Sequence, residues 1–152
     1  MITGVYAGLR EDLEMAKVDC LLRLDPSLPQ VRIDYKKMAY CIRSILTNSL
    51  EALPEGGRIE VRTERCGDRL QVVLADNGPG MSQEMIRQIT TPFFSSKEKG
   101  TGLGLSLCAR ILEGHGADFE IQSAEGYGTT FIIRLKSSEI ASSETVSQGD
   151  RK

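Results

Sequence analysis

The sequence predicts a single α+β domain, because helical patterns and strand pairs occur together in one chain of 152 residues. Two apolar patterns with helical spacing cover residues 35–53 and 103–112. Strand-like segments within residues 58–75 and within residues 119–135 each reverse direction at a glycine-containing turn. Helices combined with such antiparallel hairpins are typical of the α+β class.

The composition excludes several classes of function. Apolar residues make up 40% of the chain and charged residues 26%, as in ordinary globular domains. A net charge of −2 provides no basic field for nucleic acid. The four cysteines lack Cys-x-x-Cys spacing, so we expect neither a zinc site nor a disulfide framework, but reduced thiols in the cytoplasm. No apolar run approaches the roughly 20 residues of a membrane span, and we expect no membrane contact.

Short elements are predicted before the first long helix. Apolar spacing indicates a helix over residues 5–16, alternation indicates a strand over residues 19–24, and residues 25–29 form a turn. A short extended piece follows at residues 31–33. Asp34 is predicted to cap the next helix, because its carboxylate can accept hydrogen bonds from the first free amides.

The helix over residues 35–53 is predicted to bury one stripe and to carry a polar strip beside it. The stripe consists of Met38, Ile42, Ile45, Ser49 and Ala52. At about 100° per residue, the strip consists of Ser44, Asn48 and Glu51. Asn48 is either a boundary asparagine bonded to solvent or a side chain whose amide oxygen reaches a metal or ligand. Taken alone, Glu51 is more typical of a solvated surface charge.

Further strands and helices are predicted in the rest of the chain. Residues 58–65 alternate in polarity, whereas residues 70–75 indicate a more buried strand. Other strands are expected at residues 119–121 and 129–135. A short helix over residues 82–89 is capped by Ser82 and turns Met85 and Ile89 inward. In the helix over residues 103–112, the predicted buried face consists of Leu103, Leu107 and Ile111, widened by Leu105, Cys108 and Leu112. His115 follows this helix and is interpreted as structural.

Two glycine clusters, at residues 76–80 and 99–105, flank a long loop. A glycine turn that opens a helix directs free amides and a partial positive charge at an anion such as phosphate. Asp76 ends a strand and offers only acceptors, so it requires a donor such as an amino group or a water. The alternative is a pair of surface turns. The loop over residues 90–101 contains Phe93 and Phe94, which we interpret both as a hydrophobic anchor and as part of a binding segment.

Five motifs occur in the order found in the ATP-binding catalytic domain of sensor histidine kinases, and the chain resembles that family over residues 9–136. They resemble the N box, the G1 box, the F box, the G2 box and the closing strand motif of the family. In this order the motifs are residues 45–52 (ILTNSLEA), 76–81 (DNGPGM), 92–97 (PFFSSK), 100–105 (GTGLGL) and 126–131 (GYGTTF). The short lid and the Asn-Ser-x-Glu-Ala sequence are similar to nitrogen-regulator and PAS-linked kinases.

The resemblance implies a fold, a substrate and partners. The implied fold is the two-layer α+β sandwich called the Bergerat or GHKL ATP-binding fold. Its mixed, mostly antiparallel sheet is covered on one face by about three helices. The implied function is to bind ATP or ADP with Mg²⁺ and to donate the γ-phosphoryl group to a histidine on a separate dimerisation hairpin. A response regulator would be an indirect partner.

The resemblance also assigns roles to residues. Asp76 would accept the adenine amino group, Thr129 or Thr130 would support a shared water, and Asn48 would bind Mg²⁺. Lys97 and Lys99 would add charge from the lid as catalytic residues. The remaining implied nucleotide contacts are Glu51, Ala52, Gly78, Gly80, Met81, Phe94, Gly100, Thr101, Gly102, Leu103, Gly104 and Leu105.

Two departures from the family pattern restrict the interpretation. Hydrolytic relatives carry a glutamate four residues before the N-box asparagine, and Ser44 occupies that position here. We therefore favour phosphoryl transfer over an ATPase of the gyrase or MutL type, and over an anti-sigma-like binding module. No phosphoacceptor helix precedes residue 9. We expect residues 1–8 to be a linker or remnant of a longer protein, residues 9–136 to be the catalytic domain, and residues 137–152 to be a disordered polar tail.

Overall fold

A computed structural model describes residues 1–94 and 102–138 of the chain. Several predictions lie outside these residues, among them the polar tail beyond residue 138. The site predictions that lie outside them concern Lys97, Lys99, Gly100 and Thr101.

Five helices and five strands form the described part of the chain. The helices are α1 (Ile2–Ala7), α2 (Arg10–Met15), α3 (Tyr35–Glu51), α4 (Gln83–Gln88) and α5 (Gly104–Gly114). The strands are β1 (Val18–Leu24), β2 (Gly57–Cys66), β3 (Arg69–Asp76), β4 (Asp118–Ser123) and β5 (Thr129–Lys136).

The strands form one mixed sheet in the order β1-β2-β3-β5-β4. Only the β1–β2 pair is parallel, and the β2–β3, β3–β5 and β5–β4 pairs are antiparallel. Asp76, at the end of β3, lies opposite Ile59 on one side and Thr129 on the other. The predicted mixed, mostly antiparallel α+β sandwich is confirmed, and its central strand ends at Asp76.

The core lies between the sheet and the two long helices. Strand alternation turns Ile59, Val61 and Ile133 to the helical side, where all three are fully buried. Helix α3 covers them with the predicted stripe, of which Met38 and Ile42 are at most 1% exposed. Burying such side chains is the main source of the stability of the fold.

Helix α5 buries a face different from the one we predicted. Leu105, Cys108 and Leu112 are buried, whereas Leu103 and Leu107 are 42% and 44% exposed. The sequence pattern is apolar over most of the helix circumference, so spacing alone could not choose between two adjacent faces. The contact with α3, where Cys41 meets Cys108, decides the orientation.

The N-terminal residues also differ from the prediction. The expected helix over residues 5–16 is divided into α1 and α2 at Gly8, whose backbone lies against the guanidinium of Arg43. A Cβ atom at Gly8 would lie 2.6 Å from that group. Residues 1–8, expected to be a linker, form a helix that packs against α3 and buries Ile2 and Val5.

Side-chain hydrogen bonds fix the ends of the helices. The predicted caps are confirmed, because Asp34 accepts from Lys37 N and Ser82 accepts from Met85 N. His115 Nδ1 donates to Ile111 O at 2.7 Å, while His115 Nε2 accepts from Asp34 N at 2.9 Å. His115 therefore ties the end of α5 to the start of α3. Within the described ranges, no helix has both the length and the apolar character of a membrane span.

Candidate functional site

A cavity of about 570 Å³ opens between α3, the end of β3, α4 and the start of α5. Its size suits a small-molecule ligand. Residues from both glycine clusters and from the polar strip of α3 line it. The lining residues that we predicted are Asn48, Glu51, Ala52, Asp76, Gly80, Met81, Phe94, Gly102, Gly104, Leu105 and Thr129.

The Asp76 carboxylate is held by three hydrogen bonds at one end of the cavity. Its Oδ1 accepts from Gly78 N at 3.0 Å and from Thr129 N at 3.2 Å. Its Oδ2 accepts from the Ser49 hydroxyl at 2.9 Å. An ionised carboxylate can accept about four hydrogen bonds, so one further donor can be accommodated from the cavity.

A hydroxyl network beside Asp76 determines what Thr129 can do. Ser123 Oγ donates to Gly128 O at 2.7 Å and accepts from Met81 N at 2.8 Å. Because the single proton of Ser123 is used, the 2.9 Å contact with Thr129 Oγ1 requires Thr129 to donate. The Thr129 oxygen therefore presents only acceptor lone pairs to a water or ligand in the cavity.

Two glycines make the turns around Asp76 possible. Gly128 has φ +83, and a Cβ atom there would lie 2.0 Å from the Asp76 carbonyl oxygen. Gly80 has φ +70, and its Cβ would lie 1.9 Å from the Ala124 carbonyl oxygen. Both positions combine a left-handed backbone with a close backbone approach, which only glycine tolerates.

Apolar side chains form the walls next to the carboxylate. Ala52, Met81, Met85, Ile89 and Phe131 line the cavity, and Ala52 lies against Gly78, whose amide bonds to Asp76. Such walls accept the faces of a flat ring, while the carboxylate at the edge accepts hydrogen bonds from an amino group on that ring.

The other end of the cavity is polar. Ser44, Asn48 and Glu51 from the predicted strip line it, together with Thr47 and Arg43 on the same helix. Arg43 lies six residues before Ser49, which corresponds to about 9 Å along the helix axis. It is exposed, and it is the only cationic side chain among the described lining residues.

The start of α5 closes this polar end. Leu107 N is bonded to Leu103 O, so the amides that precede it in the first turn have no partner within the helix. Gly102 has φ +65, and a Cβ atom there would lie 2.5 Å from Phe94 O. The backbones on either side of residues 95–101 thus meet at the cavity.

A pair of buried thiols lies behind the cavity wall. Cys41 and Cys108 are fully buried between α3 and α5. Hydrogen bonding to the Cys108 thiol, together with burial, raises the pKa of Cys41 well above its usual range. The Cys41 thiol is therefore neutral at physiological pH and acts as packing.

Three predicted contacts do not line the cavity. Leu103 is exposed at the N-cap of α5. Thr130 faces the opposite side of the sheet, because consecutive strand residues alternate and Thr129 faces the cavity. Gly78 contributes only its backbone amide to Asp76. Of the aromatic pair expected to anchor the loop, Phe94 lines the cavity, whereas Phe93 is 80% exposed at φ +65.

Sequence reasoning assigned no site role to several lining residues. These are Tyr40, Arg43, Thr47, Ser49, Pro79, Met85, Ile89 and Phe131. Tyr40 lies one helical turn before Ser44, so extending the polar strip of α3 by four residues toward the N-terminus would have included it.

The chain matches the family model described as "Histidine kinase-, DNA gyrase B-, and HSP90-like ATPase" over residues 33–139. It is 40% identical over 106 residues to sporulation kinase C of Bacillus subtilis, covering 68% of this chain and 25% of that protein. It is 36% identical over 121 residues to the histidine-protein kinase AtoS of Escherichia coli, and the match covers 79% of this chain and 20% of AtoS. The chain therefore spans about a quarter of the first relative and a fifth of the second.

Solved structures agree with this match. The catalytic domain of histidine kinase ThkA superposes with a TM-score of 0.80 at 29% identity, covering 89% of both chains. ThkA in complex with the response regulator protein TrrA gives a TM-score of 0.77 at 25% identity, covering 90% of this chain and 39% of that one.

Proposed function

Because the chain belongs to the histidine kinase-, DNA gyrase B- and HSP90-like ATPase family, and thus binds ATP, we propose that it is the catalytic module of a sensor histidine kinase. In this role it presents the γ-phosphoryl group of ATP to a histidine on a separate dimerisation hairpin. The residue range proposed for the module is 9–136. We assign it to the cytoplasm, where ATP is available, and propose a response regulator as an indirect partner.

The observation that carries this proposal is the position of Asp76 at the apolar end of the cavity. Its carboxylate is bonded to two backbone amides and one hydroxyl and can accept one further donor. We propose that this donor is the amino group of adenine. The ring would lie between the apolar walls, and a water that donates to Thr129 Oγ1 and to the ring would complete the contact.

The polar end of the cavity is proposed to hold the triphosphate. The free amides at the start of α5 and the cation of Arg43 provide positive charge for it. Lys97 and Lys99, outside the described residues, are proposed to add charge from the lid. The first turn of α5 orients the phosphates, and orientation with charge neutralisation is what the protein contributes to phosphoryl transfer.

The donors at the polar end fit a magnesium ion. Asn48 offers an amide oxygen and Glu51 a carboxylate oxygen on the same helix face, and Mg²⁺ prefers oxygen ligands. We propose Asn48 as the protein ligand. When bound with ATP, the ion would neutralise phosphate charge.

Ser44 supports transfer to a protein rather than hydrolysis. It lines the cavity one helical turn before Asn48, where a general base would be required to activate water. A serine hydroxyl cannot act as a base at neutral pH. Measurable ATP turnover by the isolated chain would favour the gyrase or MutL type instead.

We expect calorimetry to detect saturable binding of ATP and ADP that weakens when Mg²⁺ is chelated. ATP at about 100 times its Kd should raise the free energy of unfolding by about 2.7 kcal/mol. With labelled ATP and the dimerisation hairpin of a related kinase, label should pass to the hairpin. Absence of nucleotide binding by the folded protein would refute the proposal.

Replacing Arg43 by Gln should weaken ATP binding about three- to tenfold, because a charge-assisted contact at the phosphate end is lost. Binding of adenosine should change little, because adenosine has no phosphate. The matched control is Arg10→Gln, which removes an exposed arginine paired with Glu14 on α2. If the affinities for ATP and for adenosine fall by the same factor, Arg43 does not contact the phosphates and the substitution has a general effect on α3.

A further inference from the structure

Ser49 is an unusual residue for the buried stripe of α3. It is 1% exposed and lies on the same helix face as Ile42 and Ile45. Burying a hydroxyl is unfavourable unless it finds a partner, and a serine within a helix commonly bonds to the carbonyl one turn earlier. Here the Ser49 hydroxyl instead reaches across to Asp76 Oδ2 at 2.9 Å.

The direction of this hydrogen bond is fixed by chemistry. An ionised carboxylate can only accept, so the Ser49 proton lies between the two oxygens. The other carboxylate oxygen, Oδ1, already accepts from Gly78 N and Thr129 N. Three donors on different elements thus determine the rotation of the carboxylate about its Cβ–Cγ bond.

The lone pairs that remain define a single recognition position. With about two acceptor sites on each oxygen, Oδ1 is filled and Oδ2 retains one. Asp76 lines the cavity beside Ala52 and Thr129, so this last site is available to a ligand there. Ser49 is the donor to Oδ2 within the described part of the chain, and without its hydrogen bond the carboxylate plane could turn away from the ligand.

We propose that Ser49 is a positioning residue that makes the site selective for a purine with a 6-amino group. This inference rests on the proposed function, because it requires adenine at Asp76. Ser49 does not touch the nucleotide in this proposal. It holds Oδ2 in the plane in which the amino group donates, so its contribution depends on the presence of that amino group.

The test compares ATP with purine riboside 5′-triphosphate, which lacks only the 6-amino group. The wild-type protein should bind ATP more tightly than the analogue. Ser49→Ala should lower the affinity for ATP about tenfold, because the acceptor for the amino group is no longer held in place. Its affinity for the analogue should stay within about twofold of wild type, so the ratio of the two affinities should fall.

Two further variants separate positioning from packing. Ser49→Thr keeps the hydroxyl and should preserve the ratio even if both affinities decline. Ser49→Cys keeps a similar volume but donates weakly, so its ratio should be intermediate. The control Thr63→Val removes a buried hydroxyl that accepts from Asp25 N far from the cavity, and it should leave the ratio unchanged.

The outcomes are distinguishable. If Ser49→Ala lowers the affinity for ATP and the affinity for the analogue by the same factor, the positioning role is overturned, because a packing defect affects the binding of both nucleotides. If Ser49→Ala does not fold, an unchanged ratio in Ser49→Cys overturns the inference and a reduced ratio supports it. A wild-type protein that binds neither nucleotide refutes the proposed function itself. A wild-type protein that binds both equally leaves ATP binding intact but overturns the inference.

Discussion

Replacing Asp76 by Asn should reduce the affinity for ATP by about a hundredfold while the protein remains folded. The amide can keep its oxygen toward Gly78 N and Thr129 N, but its NH₂ group then faces the adenine amino group, and two donors oppose each other. If the amide rotates, its NH₂ group opposes the two backbone amides instead. Neither orientation satisfies both sets of donors, whereas a carboxylate does.

Fold and binding can be separated for this variant. The retained oxygen limits the loss in free energy of unfolding to about 1–2 kcal/mol, against the 5–15 kcal/mol typical of a domain. Calorimetry gives the affinity, and urea unfolding gives the stability. Asp19→Asn, at an exposed position on the edge strand β1, is the control and should bind ATP normally. Unchanged affinity in Asp76→Asn would remove Asp76 from the adenine site.

Replacing Gly128 by Ala should lower the free energy of unfolding by about 3–5 kcal/mol. A Cβ atom at this position would lie 2.0 Å from the carbonyl oxygen of Asp76, which belongs to the central strand. The backbone must move to relieve the clash, and the pairing of Thr129 with Asp76 moves with it. Urea unfolding measures the loss, and ATP binding should weaken in the fraction that remains folded.

Gly126 provides a matched control in the same hairpin. Its φ of +82 equals that of Gly128 within one degree, but no atom lies within 4 Å of its Cβ position. Gly126→Ala should therefore cost only the left-handed backbone strain, about 1–2 kcal/mol. The difference between the two variants isolates the clash with Asp76. Equal losses would show that the close approach at Gly128 does not matter.

The sequence was sufficient to predict those features of the fold that depend on local chemistry. The caps at Asp34 and Ser82 follow from short acceptor side chains that precede apolar patterns. The hairpins follow from alternation and glycine turns, and the buried stripe of α3 follows from spacing. The motif order then indicated the family and, with it, a mixed, mostly antiparallel sheet.

What the sequence could not supply depends on contacts between distant segments. The buried face of α5 is chosen by packing against α3, and Leu107 is exposed for that reason. Ser49 was recognised as buried, but its bond to Asp76 spans 27 positions in the chain. Nothing in the sequence around Arg43 indicates a functional role. Its place in the cavity depends on how β3 and α5, which are distant in the chain, are arranged around α3.

A crystal structure with a non-hydrolysable ATP analogue and Mg²⁺ would test most directly whether the cavity binds adenine at Asp76. We predict that the adenine amino group lies within hydrogen-bonding distance of Asp76 Oδ2, beside the Ser49 hydroxyl. The phosphates should lie at the first turn of α5, between Gly102 and Leu105. An analogue bound elsewhere, or bound with its base away from Asp76, would show that Asp76 does not recognise adenine.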